Sequence, residues 1–450
     1  MPAAGPYPTT TRTSFRKPPS YILCVIYPAT NAGANHRTTF PPQILLAIAC
    51  SILYELYWSP LARFPGPGFW AICRIPGQLS VFRGTNHLDI TALHERYGPV
   101  VRTSPTEIAF NTPSAYRDIY GARPGGCFLK DPTRYLTPPN GVDHVLSVAD
   151  HATHSRQRKL LAPAFSKRAL SEQEPLITGH VDTMIFKLRA EIQKGSPVCD
   201  IKSWMNYTTF DITGDLMFGE SFGCLKDSQL HPWIDLIFKL VKALTYRSIA
   251  RQFPLFHSLL VALVPKRVKD KAEEHFNLAA RRANRRLEAK TTRSDFMSAI
   301  LQTGLSESNE HHHNGPRMMT RAELHSNASL YVFPLLIALQ RVHGELTNPA
   351  SLIIAGSEAS ATFLSGCIFY LCKNPRVMNR LVHEIRSTFQ TAEDITFRSS
   401  ATPPYLAAVI EETFRIYPPV VTNLSRLVPA GGASVDGHIL PEGVCSPQSL

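Results

Sequence analysis

The stretch Val409-Ile410-Glu411-Glu412-Thr413-Phe414-Arg415-Ile416-Tyr417-Pro418-Pro419 constrains the fold more than any other. Ala407 to Tyr417 predicts a helix, stopped by the Pro418-Pro419 pair that cannot continue it. Glu412 and Arg415 are three apart, so they share a face and can form a charge-assisted pair. Ile410, Phe414 and Ile416 surround them, so at least partial burial is expected. A partly buried pair fixes a geometry more than it adds net stability. The plainer alternative is an ordinary pair on a helix surface.

Upstream, Leu352-Ile353-Ile354-Ala355-Gly356-Ser357-Glu358-Ala359-Ser360-Ala361-Thr362 reads as an apolar helix interrupted by small and acidic residues. Gly356, without a side chain, lets a ligand approach closely. A basic helix begins at His151-Ala152-Thr153-His154-Ser155-Arg156-Gln157-Arg158-Lys159 and runs to about Ala162, with His154 and Arg158 on one face. A solvated face accounts for this run as well as a binding role does. No carboxylate or cysteine lies near enough in sequence to argue for a metal.

Composition sets wider bounds. A chain of 450 residues can bury a large core in one big domain or two. Nine cysteines is an odd number with no C-x-x-C spacing, which excludes a disulfide framework and a zinc site and leaves reduced thiols. The formal net charge of +12 fits a solvated basic face, or attraction to anionic lipid or an acidic electron donor. The run Arg281-Arg282-Ala283-Asn284-Arg285-Arg286 has no interleaved aromatics, so it reads as a surface helix and not a nucleic-acid patch.

Residues 1–43 are rich in Pro, Thr and Ala and read as a disordered or extended N-terminus, without a standard signal peptide. Residues 44–58 are apolar apart from Ser51 and Glu55, yet short of the ~20 residues that cross a bilayer. Tyr54, Tyr57 and Trp58 suit an interface. A membrane-anchor helix is expected, with a buried core helix as the alternative. Residues 59–68 form a stiff, proline-rich stretch. His94 to Arg102 reads as a helix end, a turn and a strand, and Glu107 to Phe110 as a second strand.

Taken in this order, the motifs resemble the haem-thiolate monooxygenases of the cytochrome P-450 superfamily, in particular fungal microsomal members that decorate secondary metabolites. The resemblance runs from about Tyr57 to Gly443. It implies a mainly α fold with a small β-region, an N-terminal membrane anchor, a hinge at 59–68 and a haem-monooxygenase domain over 69–443. It implies a haem (heme) cofactor, dioxygen, an NADPH-dependent flavin reductase, a small lipophilic substrate and no nucleic acid. The place implied is the endoplasmic reticulum membrane, with the catalytic domain on the cytosolic face. Site residues follow by position. Glu358 delivers protons; the alcohol position after it is Ala359, and Ser360, about 100° round the helix, is a poor substitute, so slowed or uncoupled oxygen activation is expected. Gly356, His154, Arg158 and Arg426 bind the cofactor, the last three through its propionates. Glu412 and Arg415 are the structural pair. Lys130 to Val148 covers the substrate pocket, Phe210 to Gly219 matches a helix of the fungal subgroup, and Gly431 to Gly443 is a β-hairpin.

Two departures from that pattern stand out. Tyr331 to Ser351 intervenes in what should be one long central helix, and Pro334 and Pro349 would break it at about 3 kcal/mol or more each. The segment reads as an insertion, either a translated intron or a genuine loop. Beyond Gly443, residues 444–450 read as an aberrant tail, the domain as incomplete at its C-terminus. The family's Phe-x-x-Gly-x-Arg-x-Cys pattern is absent. Cys445 lacks those neighbours, so no metal ligand is assigned; Cys367 and Cys372 read as core residues. Two alternatives to an active monooxygenase follow: a catalytically dead remnant, or an apolar-ligand-binding membrane protein.

Overall fold

A computed structural model describes residues 40–121, 128–135, 137–195, 198–253, 264–289, 293, 295–301, 305–306, 318–331, 357–419 and 424–446. The elements run in chain order. Helix α1 (Phe40–Leu53) leads into a π-helical turn (Tyr54–Trp58). Then come α2 (Gly68–Ile72), α3 (Ile75–Arg83), α4 (Asn86–Tyr97), β1 (Val100–Ser104), β2 (Glu107–Phe110), α5 (Pro113–Tyr120) and β3 (Leu129–Lys130). The middle holds α6 (His151–Leu161), α7 (Lys167–Gln193), α8 (Ile201–Phe218), α9 (Cys224–Asp227), α10 (Pro232–Arg251), α11 (Lys266–Glu288) and α12 (Phe296–Leu301). The last part holds β4 (Leu305–Ser306), β5 (Met319–Thr320), α13 (Arg321–Tyr331), α14 (Ser357–Lys373), α15 (Pro375–Thr388), α16 (Pro404–Ile416), β6 (Arg426–Leu427), β7 (Ala433–Val435) and β8 (His438–Leu440). Mainly helical with a small β-region is what the sequence predicts. The strands pair only in twos: β1–β2, β3–β6, β4–β5 and β7–β8.

α8 is the helical centre. It mixes large apolar residues with threonines whose hydroxyls donate to carbonyls four residues earlier, as Thr208, Thr209 and Thr213 do, which lets those polar groups be enclosed. It is buried along most of its length and packs against α7 and α14. Asp211 lies inside it and is satisfied by the backbone N–H groups of Cys224 and Leu225, which donate at 3.0 and 2.8 Å. Gly214 leaves room for the Phe222 ring, which would stand 2.8 Å from a Cβ there. These contacts give the Phe210–Gly219 stretch a structural task.

The β-region forms a second core with Leu61, Phe64, Val100, Ile108, Phe110, Val435 and Leu440. The proline-rich segment is therefore fastened down: Arg102 N–H donates to the Pro65 carbonyl at 2.7 Å, and a Cβ at Gly66 would sit 2.5 Å from the Arg102 carbonyl. Arg102, only 2% exposed, pairs with Glu55 at 2.5 Å and also donates to the Glu55 and Pro105 carbonyls. The β7–β8 hairpin turns at Asp436-Gly437, both with positive φ as a tight two-residue turn demands.

Several expectations are corrected. The N-terminal helix starts at Phe40, and no helix among the described residues is long and apolar enough to cross a membrane. Nor is it a core helix, since Leu45, Leu46, Tyr57 and Trp58 are all exposed. Glu412 and Arg415 do pair, with two contacts of 2.7 Å, but both side chains stand in solvent at 56% and 70% exposure. The reason is helical phase: Val409 and Thr413 take the inward face of α16 and Phe414 stacks on Phe363 at 4.1 Å, leaving the charges outside. The basic end of α11 is not all surface. Arg286 is buried on Asp295, and Arg282 lies over the rings of Phe222 and Trp233. Cys372 is exposed and Cys367 half-buried, so neither is a full core residue. Gly356, most of 331–351, residues 1–39 and residues 447–450 lie outside the described residues, as does the side chain of Glu358.

Candidate cofactor site

Basic side chains from separate elements converge beside the β3–β6 pair. α6 begins where Asp150 accepts a hydrogen bond from Thr153 N–H at 2.7 Å, an N-cap that fixes the rotation of the helix and so the placement of His154 and Arg158. His154 is half-buried and Arg158 exposed. β6 supplies Arg426, buried at 6% exposure. Its Nη1 donates to the Tyr135 hydroxyl at 2.8 Å, and its guanidinium lies 5.3 Å from the Tyr120 ring centre. Tyr120 in turn donates to the Leu424 carbonyl at 2.6 Å. β3 pairs with β6 in a register that sets Lys130 opposite Arg426.

The electrostatics of this region are one-sided. Burial, then the nearby Lys130, Arg158 and Arg426, draws the His154 imidazole down to about 4. Burial and Arg426 draw the Lys130 ammonium down to about 7. His144 is drawn down to about 4, mainly by burial. Asp143 is the acid that supports the charge of Lys130. A low-dielectric place where cations oppose one another favours an anion, above all one carrying more than one carboxylate.

A second layer holds these groups. Thr320 and Glu323 make a capping box at the start of α13: Thr320 N–H donates to Glu323 Oε2 at 3.0 Å and Glu323 N–H to Thr320 Oγ1 at 3.1 Å. The same carboxylate pairs with Arg156 and accepts from Gln157 Nε2 at 3.3 Å, both on α6. Asn327 Oδ1 accepts from Val145 N–H at 3.1 Å, and Asn140 Nδ2 donates to Ser326 Oγ at 2.8 Å. α13 therefore clamps α6 and the 140–148 loop together.

The structure brings His154, Arg158 and Arg426 into one region. It places Ser360 near the start of α14, 5% exposed, with Ala361 packed against Met184, Trp204 and Met205. Sequence reasoning missed Lys130, Tyr120 and Tyr135. A two-residue strand has no periodicity, and nothing local in Phe128-Leu129-Lys130-Asp131 announces a partner almost three hundred residues later. The cationic residues fit the two carboxylates of a haem. Cys445 does not fit its iron. Its N–H donates to the Thr106 carbonyl at 2.8 Å and its carbonyl accepts from Ile108 at 3.0 Å, which ties it to β2. Burial, with Glu107 alongside, pushes its thiol far up, so it stays protonated.

The chain matches the sequence profile of the family described as Cytochrome P450 over residues 64–333 and 346–445. It is 37% identical over 395 residues to the cytochrome P450 monooxygenase astJ of Aspergillus oryzae, covering 87% of this chain and 73% of that protein. To the cytochrome P450 monooxygenase efuB of Hormonema carpetanum it is 38% identical over 400 residues, covering 87% and 72%. To the trichothecene C-15 hydroxylase of Fusarium sporotrichioides it is 36% identical over 394 residues, covering 87% and 73%. A helical body built round α8, basic side chains gathered beside the β3–β6 pair and similarity along nearly nine-tenths of the sequence agree, and the chain belongs to the cytochrome P450 family of haem-dependent monooxygenases.

Proposed function

We propose that this monooxygenase oxidises a small lipophilic, secondary-metabolite-like substrate, as the relatives named above suggest. An NADPH-dependent flavin reductase supplies its electrons, and α1 holds it at the endoplasmic reticulum membrane with the catalytic domain on the cytosolic side. The observation that carries the haem part is the convergence of His154, Arg158 and Arg426 in a region short of acids. Haem, when bound, supplies the oxygen chemistry. The chain's own residues anchor and orient it. Arg158 and Arg426 offer planar forks that grip a carboxylate with two hydrogen bonds. His154, neutral above about pH 4, offers an N–H without adding a further charge. Glu358 and the Ser360 hydroxyl, at the head of α14, are the proposed proton carriers. Support for the membrane part comes from α1 and the turn after it, where Leu45 and Leu46 and then Tyr57 and Trp58 are exposed.

Cys445 favours a second reading. It is the sole described cysteine after α16, and burial with Glu107 alongside favours its protonated thiol. On that reading the chain binds haem or another apolar ligand without turnover. Haem titration followed by the Soret band separates the outcomes. Uptake is expected, with Arg158→Ala and Arg426→Ala each weakening it by roughly tenfold or more. A thiolate-type absorption of the reduced carbon monoxide complex favours the monooxygenase. Uptake without that absorption favours the silent binder, and no uptake overturns the haem site on either reading.

A further inference from the structure

Lys130 is the only buried lysine among the described residues, and the contacts that hold it do not neutralise it. Its Nζ donates to the carbonyl oxygens of Val145 and Leu146, both at 2.8 Å, and lies 5.8 Å from the Tyr135 ring centre. Two carbonyl dipoles and a ring face are weak compensation for a buried ammonium. An ammonium has three N–H donors, and these two acceptors account for two of them.

Its charged surroundings make the position costlier still. Arg426 faces it from β6, and its charge reaches His154 on α6. The loop adds His144 and Asp143. Asp143, the acid that supports the Lys130 charge, already accepts from Ser147 Oγ at 2.8 Å. A lysine confined in this way, in register with a buried arginine, is tolerable if an anion completes the group.

We propose that Lys130 is a further cofactor-anchoring residue, donating its third N–H to a haem carboxylate beside His154, Arg158 and Arg426. This rests on the reading of the pocket as a haem site. The rival role is purely structural, a strap between β3 and the loop at Val145 and Leu146. An anchor answers to the carboxylates of the ligand; a strap does not.

The test compares binding of haem and of haem dimethyl ester, whose carboxylates are masked, to the full chain and to Lys130→Met. The native chain is expected to prefer haem over the diester. K130M should lose roughly ten- to a hundredfold of its haem affinity, the size of a charge-assisted hydrogen bond, with diester affinity little changed. Equal loss for both ligands identifies a strap and overturns the proposal, as does no loss for either. A native chain that does not distinguish the two ligands overturns the propionate reading of the whole pocket, and Lys130 with it.

Should K130M fail to fold, a pH series on the native chain decides. Lys130 begins from about 7 and His154 from about 4, while burial raises Tyr116 and Tyr135 above their ordinary value. Arginine stays charged throughout. Between pH 7 and about 10, Lys130 is therefore the member of this group that loses charge. The preference for haem over its diester should decline across that range. A flat profile overturns the proposal.

Discussion

Three histidines show what burial does to single residues in this chain. His144, His154 and His275 are each drawn down to about 4, with burial as the largest cause. In His275 the hydrogen bonds identify the neutral tautomer: Trp233 Nε1–H donates to its Nδ1 at 2.9 Å, so its Nε2 carries the proton that faces the Ser329 carbonyl at 3.3 Å. A depressed histidine pKa means that the unfolded chain binds more protons between about pH 4 and its ordinary value of 6.5. Stability is then fully present above pH 6.5 and falls as pH drops towards 4, with no further loss from these groups below that. Denaturant titrations of the haem-free chain at pH 7, 5.5 and 4 should show that decline, and His275→Gln should flatten part of it. Equal stability across the three pH values would count against neutral burial. None of this is visible in the sequence, where these histidines look like any others. His154 could be singled out only through the family resemblance, which pairs it with Arg158 four residues later.

Arg102 and Glu55 act at the scale of elements, tying the end of the N-terminal helix to β1. The sequence marks 59–68 as stiff, and the structure adds that both of its ends are held. Which half of the ion pair is removed should matter. Glu55→Ala leaves a guanidinium that is 2% exposed without its counter-charge, whereas Arg102→Met leaves a carboxylate that can reach water. Glu55→Ala is therefore expected to cost about 3–5 kcal/mol and Arg102→Met clearly less, measured by chemical denaturation. The opposite ranking would mean that the Glu55 side chain is not what keeps Arg102 in place. Elements with their own local signals were legible: α16 ends before its Pro pair, and β1 and β2 follow the glycine and proline that punctuate them. The β3–β6 pair was not, because its partners are joined only by the folded chain.

For the molecule as a whole, charge and apolar surface bear on the same question. A net charge of +12 and an exposed apolar α1 both favour a membrane surface, by different forces. Vesicles containing anionic lipid should bind the full chain more tightly than neutral vesicles, and added salt should narrow the gap without abolishing binding. Trp58 emission should shift to the blue on binding; a chain that binds neither kind of vesicle would refute the membrane part of the proposed function. The sequence by itself carried the ordered motifs, because prolines, turn glycines and helix spacing act between near neighbours, and through the family they resemble it implied the mainly helical class. It also brought out His154, Arg158 and Arg426 through that family resemblance. Tertiary structure decided the rest. The Glu412–Arg415 pair went outward because neighbouring residues of α16 fill the inward face. Lys130 joined the basic pocket because β3 finds β6, and Cys445 became a buried thiol because β2 and Glu107 enclose it. Burial and opposing charge depend on which distant residues meet, and that is fixed only when the chain has closed on itself.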